Sequence, residues 1–349
     1  MLKSISLQNF RNYKRKHFDF SDITLVVGRN TAGKTNLIEA VYFASTGDSF
    51  KTEKDTQAIA FSEDFAKITA HTKENKLELL LAAGSMVKGT ISKRYFVNGV
   101  GRRRLDFVGH LPSVLFSPSD LEIVIDSPGI RRQFLDEVLE QTDRNYRISH
   151  LSFLKSLRQR NALLAKASET GRRNEREFEY WDKILIESGQ EITNKREVLI
   201  NFINSQKKEI FDFSIVYDKS TISKERLLEY EQAELASKVT LVGPHRDDLI
   251  FLFKKNKENK ELKFFGSRGQ QRLAILELKL LQLLYMEKML GERPLLLLDD
   301  IFSELDSEHI NLVLTIAPLQ QTIITTTHEE FIGKTKLKNM EVIKLENGI

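Results

Sequence analysis

The chain has 349 residues, 41% hydrophobic and 29% charged, with a formal net charge of +4 and no cysteine. That composition excludes a disordered chain or a collagen, and no apolar run approaches the about 20 residues that cross a bilayer. Missing thiols exclude disulfides, thiolate metal sites and cysteine nucleophiles. The first sixteen residues carry no apolar stretch of the secretory kind, so a cytoplasmic address is expected.

Residues 1 to about 118 read as strands with turn punctuation. Ile5 and Leu7 alternate with polar residues, and Ile23 to Val27 is a short β-branched run that ends at Gly28. After Thr35, Leu37, Ile38, Val41 and Ala44 recur at helical spacing. Further strands are predicted over Phe65–His71, Leu77–Ala82 and Arg94–Val97, with Asn98-Gly99 as a hairpin turn. From 119 to 235 proline and glycine become scarce and apolar residues recur every three to four. Leu151, Leu154, Leu157 and Leu164 mark one helix; Leu185, Ile192, Leu199 and Phe202 mark another. From 236 the strand-and-turn grammar returns and runs to the end. The reading is an α/β unit split in sequence (1–118 and 236–349), with a helical lobe (119–235) inserted into it.

Gly28-Arg29-Asn30-Thr31-Ala32-Gly33-Lys34-Thr35 has the G-x-x-x-x-G-K-T pattern of a phosphate-binding loop. Its glycines let backbone N–H groups curl around phosphate oxygens, and the following helix adds its positive end. Lys34 is expected to bridge the β- and γ-phosphates of ATP, and Thr35 to hold Mg²⁺ through its hydroxyl. Leu295 to Leu298 form a buried strand that delivers Asp299 and Asp300 to its carboxyl end. Asp299 fits the magnesium-side carboxylate, and Asp300 is placed to polarise an attacking water. The 264 positions between Thr35 and Asp299 call for a large insertion in the nucleotide core.

In Gly266-Ser267-Arg268-Gly269-Gln270, a serine and a glycine open directly onto a helix. By themselves they make a capped helix; beside a nucleotide core, the Ser267 hydroxyl and Gly269 N–H become candidates for anion binding. His245 with Asp247 and Asp248 reads as a turn whose polar groups are satisfied locally, in preference to a metal cluster. Two runs hold five Lys/Arg each and no acid, Lys3–Lys16 and Lys93–Arg104. Each is a solvated face unless something else demands a polyanion. The candidates for phosphate contact are Arg11, Lys14, Arg15 and Lys16 in the first run, and Arg102, Arg103 and Arg104 in the second.

In this order, the loop, the S-x-G-Q turn, the strand with its acids, Ser303-Glu304-Leu305-Asp306 and Thr327-His328 resemble the ABC-type ATPase head of the SMC and RecF class. The finer resemblance is to the RecF family. It is carried by NFRNY (9–13), GRNTAGKTNLIEAVYF (28–43), FSPSDLEIV (116–124), SPGIRRQFLD (127–136), RQRNALL (158–164), GPHRDDL (243–249), GSRGQQR (266–272) and LLLLDDIFSELD (295–306). It runs essentially end to end. Two departures, Gly266 before the signature serine and Ala32 in the loop, leave the phosphate-contacting groups intact.

The resemblance implies a composite site in which one subunit's loop and another's signature serine sandwich ATP. Ser267, Gly269 and Gln270 would then act in trans, Asp306 would cross the dimer seam, and His328 would sense the γ-phosphate. It further implies an ATP-dependent homodimer acting on gapped or stalled DNA, with recombination mediator partners of the RecO and RecR type and slow hydrolysis used as a switch. A nuclease fusion would need a second acidic metal-binding domain, and all 349 residues are already assigned; a transporter subunit would lack the FRNY start and the long helical insert. A chromosome-organising head would need coiled-coil arms that the chain cannot contain. A nucleotide-switched protein-interaction module that never touches DNA is the remaining alternative.

Overall fold

The computed structural model describes residues 1–51, 55–83, 91–303, 306–327 and 340–345. The chain divides into two units, Met1–Asp120 with Gln282–Ile349, and Leu121–Leu281.

In the first unit β1 (Leu2–Phe10), β2 (Tyr13–Asp19) and β3 (Ile23–Gly28) lead into helix α1 (Lys34–Thr46). Then follow β4 (Phe65–Thr72), β5 (Lys76–Ala83), β6 (Ile91–Val97), β7 (Val100–Arg102) and β8 (Ser113–Phe116). Six strands form an antiparallel sheet in the order β2-β1-β4-β5-β6-β7. Its last hairpin turns on Asn98 (φ 53°) and Gly99 (φ 78°), the pair of left-handed residues that a two-residue turn between right-twisted strands requires.

The second unit holds α2 (Pro128–Thr142), α3 (Arg144–Thr170), α4 (Glu175–Ser205), β9 (Ser214–Asp218), β10 (Asp248–Lys255) and β11 (Glu258–Glu261). Helix α5 (Arg268–Leu290) begins there and ends in the first unit, which β12 (Leu295–Asp299), α6 (Ser307–Ile316), β13 (Thr322–Thr326) and β14 (Met340–Leu345) complete. These late strands join β3 and β8 in a parallel sheet ordered β14-β3-β13-β12-β8. Eleven of the thirteen residues of α1 are buried, so this helix has no solvent face. Its Leu37, Ile38, Val41 and Phe43 share one apolar core with Ile5, Ile68 and Leu79 of the antiparallel sheet and with Val26, Leu297 and Ile323 of the parallel one. The loop ahead of α1 is thereby fixed by both sheets.

One expectation needs correction. The second break in the chain falls at 281/282, not near 236. The strand grammar that resumes at 236 builds the small sheet β11-β10-β9, whose β9 partner comes from residue 214 onward. Ion pairs also tie it to the helices: Arg131 clasps Asp248 at 2.6 and 3.0 Å, and Arg196 reaches Asp247 at 3.0 Å. On α3 the leucines at 151 and 154 are exposed, and the buried stripe is Tyr146, Phe153, Ser156, Arg160, Leu164 and Ala167. Arg160 tolerates burial because Asp182 (2.6 Å), Glu234 (2.7 Å) and Thr240 (2.9 Å) receive its guanidinium. Leu185, Ile192 and Leu199 of α4 are buried, and Phe202 is half-buried.

Candidate nucleotide site

β3 ends at Gly28, where an added Cβ would lie 3.1 Å from the Ala32 Cβ and 3.1 Å from the Leu345 carbonyl oxygen. The loop curls through Thr31 (φ 73°) to Gly33 (φ 100°), the residue that caps α1. Such a φ favours glycine, and space demands it too: a Cβ on Gly33 would stand 2.7 Å from both the Asn12 side-chain amide and the Tyr13 hydroxyl. That hydroxyl donates to the Gly33 carbonyl at 3.0 Å. Burial pushes the Tyr13 phenol pKa upward, which keeps it a donor. The N-terminus of α1 is therefore presented on a braced loop, the arrangement that suits an anion.

The registers Asp299↔Thr325 and Thr326↔Val27 bring the carboxyl ends of β12, β13 and β3 side by side, the place where open parallel sheets bind ligands. The Thr35 hydroxyl donates to Asp299 Oδ1 at 3.1 Å, and the Thr325 hydroxyl donates to the same oxygen at 2.8 Å. Asp300 follows in the left-handed region (φ 49°), and its N–H donates to Thr325 Oγ1 at 3.0 Å. Lys34 Nζ holds the carbonyls of Gly28 (2.8 Å) and Arg29 (3.0 Å). Burial lowers the Lys34 pKa, with Asp300 and Asp299 pulling the other way. Burial raises that of Asp299, opposed by the hydroxyls of Thr325 and Thr35 and reinforced by the charge of Asp300. One cation and two carboxylates thus converge on a partly dehydrated spot at the helix end.

The Thr35 hydroxyl and the Asp299 carboxylate are hard oxygen donors, the kind that could hold a small divalent cation. Arg29, Asn30 and Thr31 are exposed at the loop's tip, while Ala32 is buried under it. Sequence reasoning assigned no role to Thr325, Asn12 or Lys51. Lys51 Nζ donates to Asn36 Oδ1 at 3.0 Å, and Asn36 in turn donates to Asn12 Oδ1 at 2.8 Å. The hallmark NFRNY contains Asn12, but no local pattern shows that it folds against Gly33.

The signature turn lies in the second unit and the loop in the first. Ser267 and Gln270 cap α5 reciprocally: the Ser267 N–H donates to Gln270 Oε1 at 2.9 Å, and the Gln270 N–H donates to Ser267 Oγ at 3.2 Å. Ser267 and Gly269 are exposed. Asp306 caps α6 and takes the His309 backbone N–H at 3.0 Å and ring nitrogen at 2.6 Å. Those bonds lower its pKa. His328 lies outside the described residues, as do Glu304 and Leu305.

The basic candidates do not form one patch. Lys14, Arg15 and Lys16 are exposed on β2, and Arg102 is exposed on β7, the two opposite edges of the antiparallel sheet. Five strand spacings of about 4.8 Å put about 24 Å between those edges. Arg103 is exposed and reaches Asp106 at 3.4 Å, and Arg104 pairs with Asp48 at 2.7 Å. Arg11 is a correction. Its Nε and Nη2 clasp both oxygens of the fully buried Glu39 at 2.9 and 2.5 Å, so it frames α1 instead of facing solvent.

The carboxylates of the His245 turn are met chiefly by distant residues and not by the turn's own backbone, and the buried His245 Nδ1 has no hydrogen-bond partner among the described residues. Asp247 accepts from the Ser220 N–H (2.8 Å), Arg196 and the Tyr217 hydroxyl, and His245 Nε2 donates to the Thr240 carbonyl at 3.0 Å. Among the described residues no group of three or more His, Asp or Glu could hold a metal ion, and no helix is long and apolar enough to cross a membrane.

The family described as RecF/RecN/SMC N terminal domain matches residues 1–349. The DNA replication and repair protein RecF of Oenococcus oeni is 35% identical, covering 99% of this chain and 98% of its own. Its counterpart in an Exiguobacterium species is 36% identical over the same shares. A solved structure of the recombination mediator protein RecF with ATP, in the RecFOR pathway, is 30% identical with a TM-score of 0.86, covering 100% of this chain and 96% of that one. An SMC head domain from Pyrococcus yayanosii shares the fold at a TM-score of 0.55 and 13% identity, covering 100% of this chain and 96% of that one. With the loop, the acid-bearing strand and the signature turn all in place on an ABC-type ATPase head, the chain belongs to the RecF family of DNA replication and repair proteins.

Proposed function

We propose that the chain is an ATP-switched DNA-binding protein of recombinational repair and replication. The observation that carries this reading is the convergence of Lys34, Thr35 and Asp299 at the braced N-terminus of α1, supported by end-to-end similarity to RecF proteins, one of them solved with ATP. Backbone N–H groups of residues 28–35 cradle the phosphates, and the Lys34 ammonium turns from the Gly28 and Arg29 carbonyls to the β- and γ-phosphates. Thr35 and Asp299 would hold Mg²⁺, which would supply positive charge against that of the phosphates. Asp300 orients the attacking water, and the Thr325 hydroxyl positions both neighbouring aspartates.

Ser267, Gly269 and Gln270 of a second copy close over the γ-phosphate, with Asp306 at the seam and His328 as the sensor. The γ-phosphate then becomes part of an interface, and its weak, slow hydrolysis releases the dimer. DNA, and mediator proteins of the RecO and RecR type, are the partners of the closed state. Lys14, Arg15 and Lys16 form one phosphate-contacting set and Arg102 with Arg103 another.

The test is duplex-DNA affinity with and without ATP and Mg²⁺, with oligomeric state followed in parallel by sedimentation. ATP should drive dimerisation and retention on gapped DNA together. Log affinity should fall linearly with log salt, and replacing Lys14, Arg15 and Lys16 by Ala should make the slope shallower by up to about 2.7. A protein that dimerises with ATP yet binds DNA no better supports the protein-interaction reading instead.

A further inference from the structure

Helix α3 carries six Lys/Arg and no acid from Arg144 to Ser168. Its inner face packs on α4, with Phe153 and Leu164 buried. Its outer face is not simply polar. Ile148, Leu151 and Leu154 are 39%, 56% and 47% exposed, and Lys155, Arg158 and Lys166 follow on the same side. Steps of three and four residues from Ile148 through Leu151, Lys155, Arg158 and Ala162 draw a straight seam along the helix, about 27 Å long if carried on to Lys166.

We infer that this seam docks an acidic amphipathic helix of a partner protein. A straight line of positions at three-four spacing accepts the side chains of another helix. The composition sets what that helix carries: aliphatic residues against Ile148, Leu151 and Leu154, then carboxylates against Lys155, Arg158 and Lys166. Nucleic acid fits less well. A phosphate path needs cations along its length, and between Arg147 and Lys155 the exposed positions of the helix are Ile148, Leu151 and Leu154. Exposed leucines beside a cationic stretch have a counterpart on a protein helix and none on a sugar–phosphate backbone. This inference does not depend on the nucleotide site.

The test uses the full chain and a fluorescein-labelled three-heptad peptide. Leu occupies the positions opposite Ile148, Leu151 and Leu154, and Glu those opposite Lys155, Arg158 and Lys166. Fluorescence anisotropy should show saturable binding, weakened about tenfold by Lys155→Glu with Arg158→Glu. Leu151→Ser with Leu154→Ser should weaken it similarly. A peptide with Lys in place of Glu should bind the charge-reversed variant and not the parent. All substituted positions are exposed, so melting curves should match the parent and separate lost docking from lost folding. No saturable binding by the parent up to about millimolar peptide overturns the inference. So does equal binding of the Glu and Lys peptides. Weakened duplex-DNA binding by the charge-reversed variant, with peptide affinity unchanged, overturns it in favour of a nucleic-acid surface.

Discussion

Replacing Arg11 by Met is the sharpest test of how the nucleotide unit is framed. The guanidinium makes two hydrogen bonds to Glu39, a residue with 0% exposure in a helix enclosed by two sheets, and a third to the Gln57 carbonyl at 2.6 Å. Met keeps most of the stem and removes only the charge. Glu39 is then left in the core with the Ser49 hydroxyl donating to it at 2.6 Å. Breaking one side of such a buried pair costs about 3–5 kcal/mol, because the survivor stays desolvated and unpaired. For a unit of this size that is about 6–20 °C in melting temperature.

Urea unfolding followed by circular dichroism measures the loss. The double variant Arg11→Met with Glu39→Leu should recover a large part of it, since no uncompensated charge remains. The salt slope of DNA binding should match the parent in both. A loss below about 1 kcal/mol, or a double variant as costly as the sum of the singles, would show that the pair is not desolvated. A shallower salt slope would return Arg11 to the DNA surface.

Lys34→Ala should weaken ATP by about 1.5–3 kcal/mol, roughly 10- to 150-fold, in a calorimetric titration; unchanged affinity refutes the loop assignment. Asp299→Asn should retain nucleotide binding in the absence of Mg²⁺ but lose most of the gain that Mg²⁺ confers. Ser267→Arg should leave ATP affinity intact and abolish the ATP-dependent dimer in sedimentation, and a persisting dimer would contradict the trans arrangement. Burial lowers the pKa of His245 to about 4. The folded state then binds fewer protons than the unfolded one at acidic pH, so this residue's contribution is present above about pH 6.5 and lost as pH falls toward 4. The loss is up to about 3 kcal/mol, and His245→Asn should flatten that limb of the urea midpoint against pH.

What the sequence made legible was local. Residues 28–35 and 295–300 are contiguous, each motif holds its own strand and turn, and both arrive where their patterns place them. The Asn98-Gly99 turn is local too. Legibility failed where one local signal served two distant outcomes. Leu151 and Leu154 have helical periodicity, yet α3 carries two stripes, and the buried one includes Arg160, whose partners come from residues 182, 234 and 240. The basic run Lys3–Lys16 reads as uniform, but Arg11 turns inward because Glu39 waits in a helix formed 28 residues later. Likewise the strands after 236 look like a return to the first lobe, and only their pairing with β9 assigns them to the second unit.

The brace around Gly33 has a consequence for how the loop tolerates change. Its neighbours Asn12 and Tyr13 lie twenty and more positions upstream, in the β1–β2 hairpin of a different sheet from the strand that delivers the loop. The phosphate loop is therefore not a transferable cassette. Residues 28–35 grafted from a protein with other groups at this contact would meet an amide and a phenol shaped for a different backbone. Substitutions at 12, 13 and 33 should be epistatic, each acceptable or damaging according to which of the others is already present.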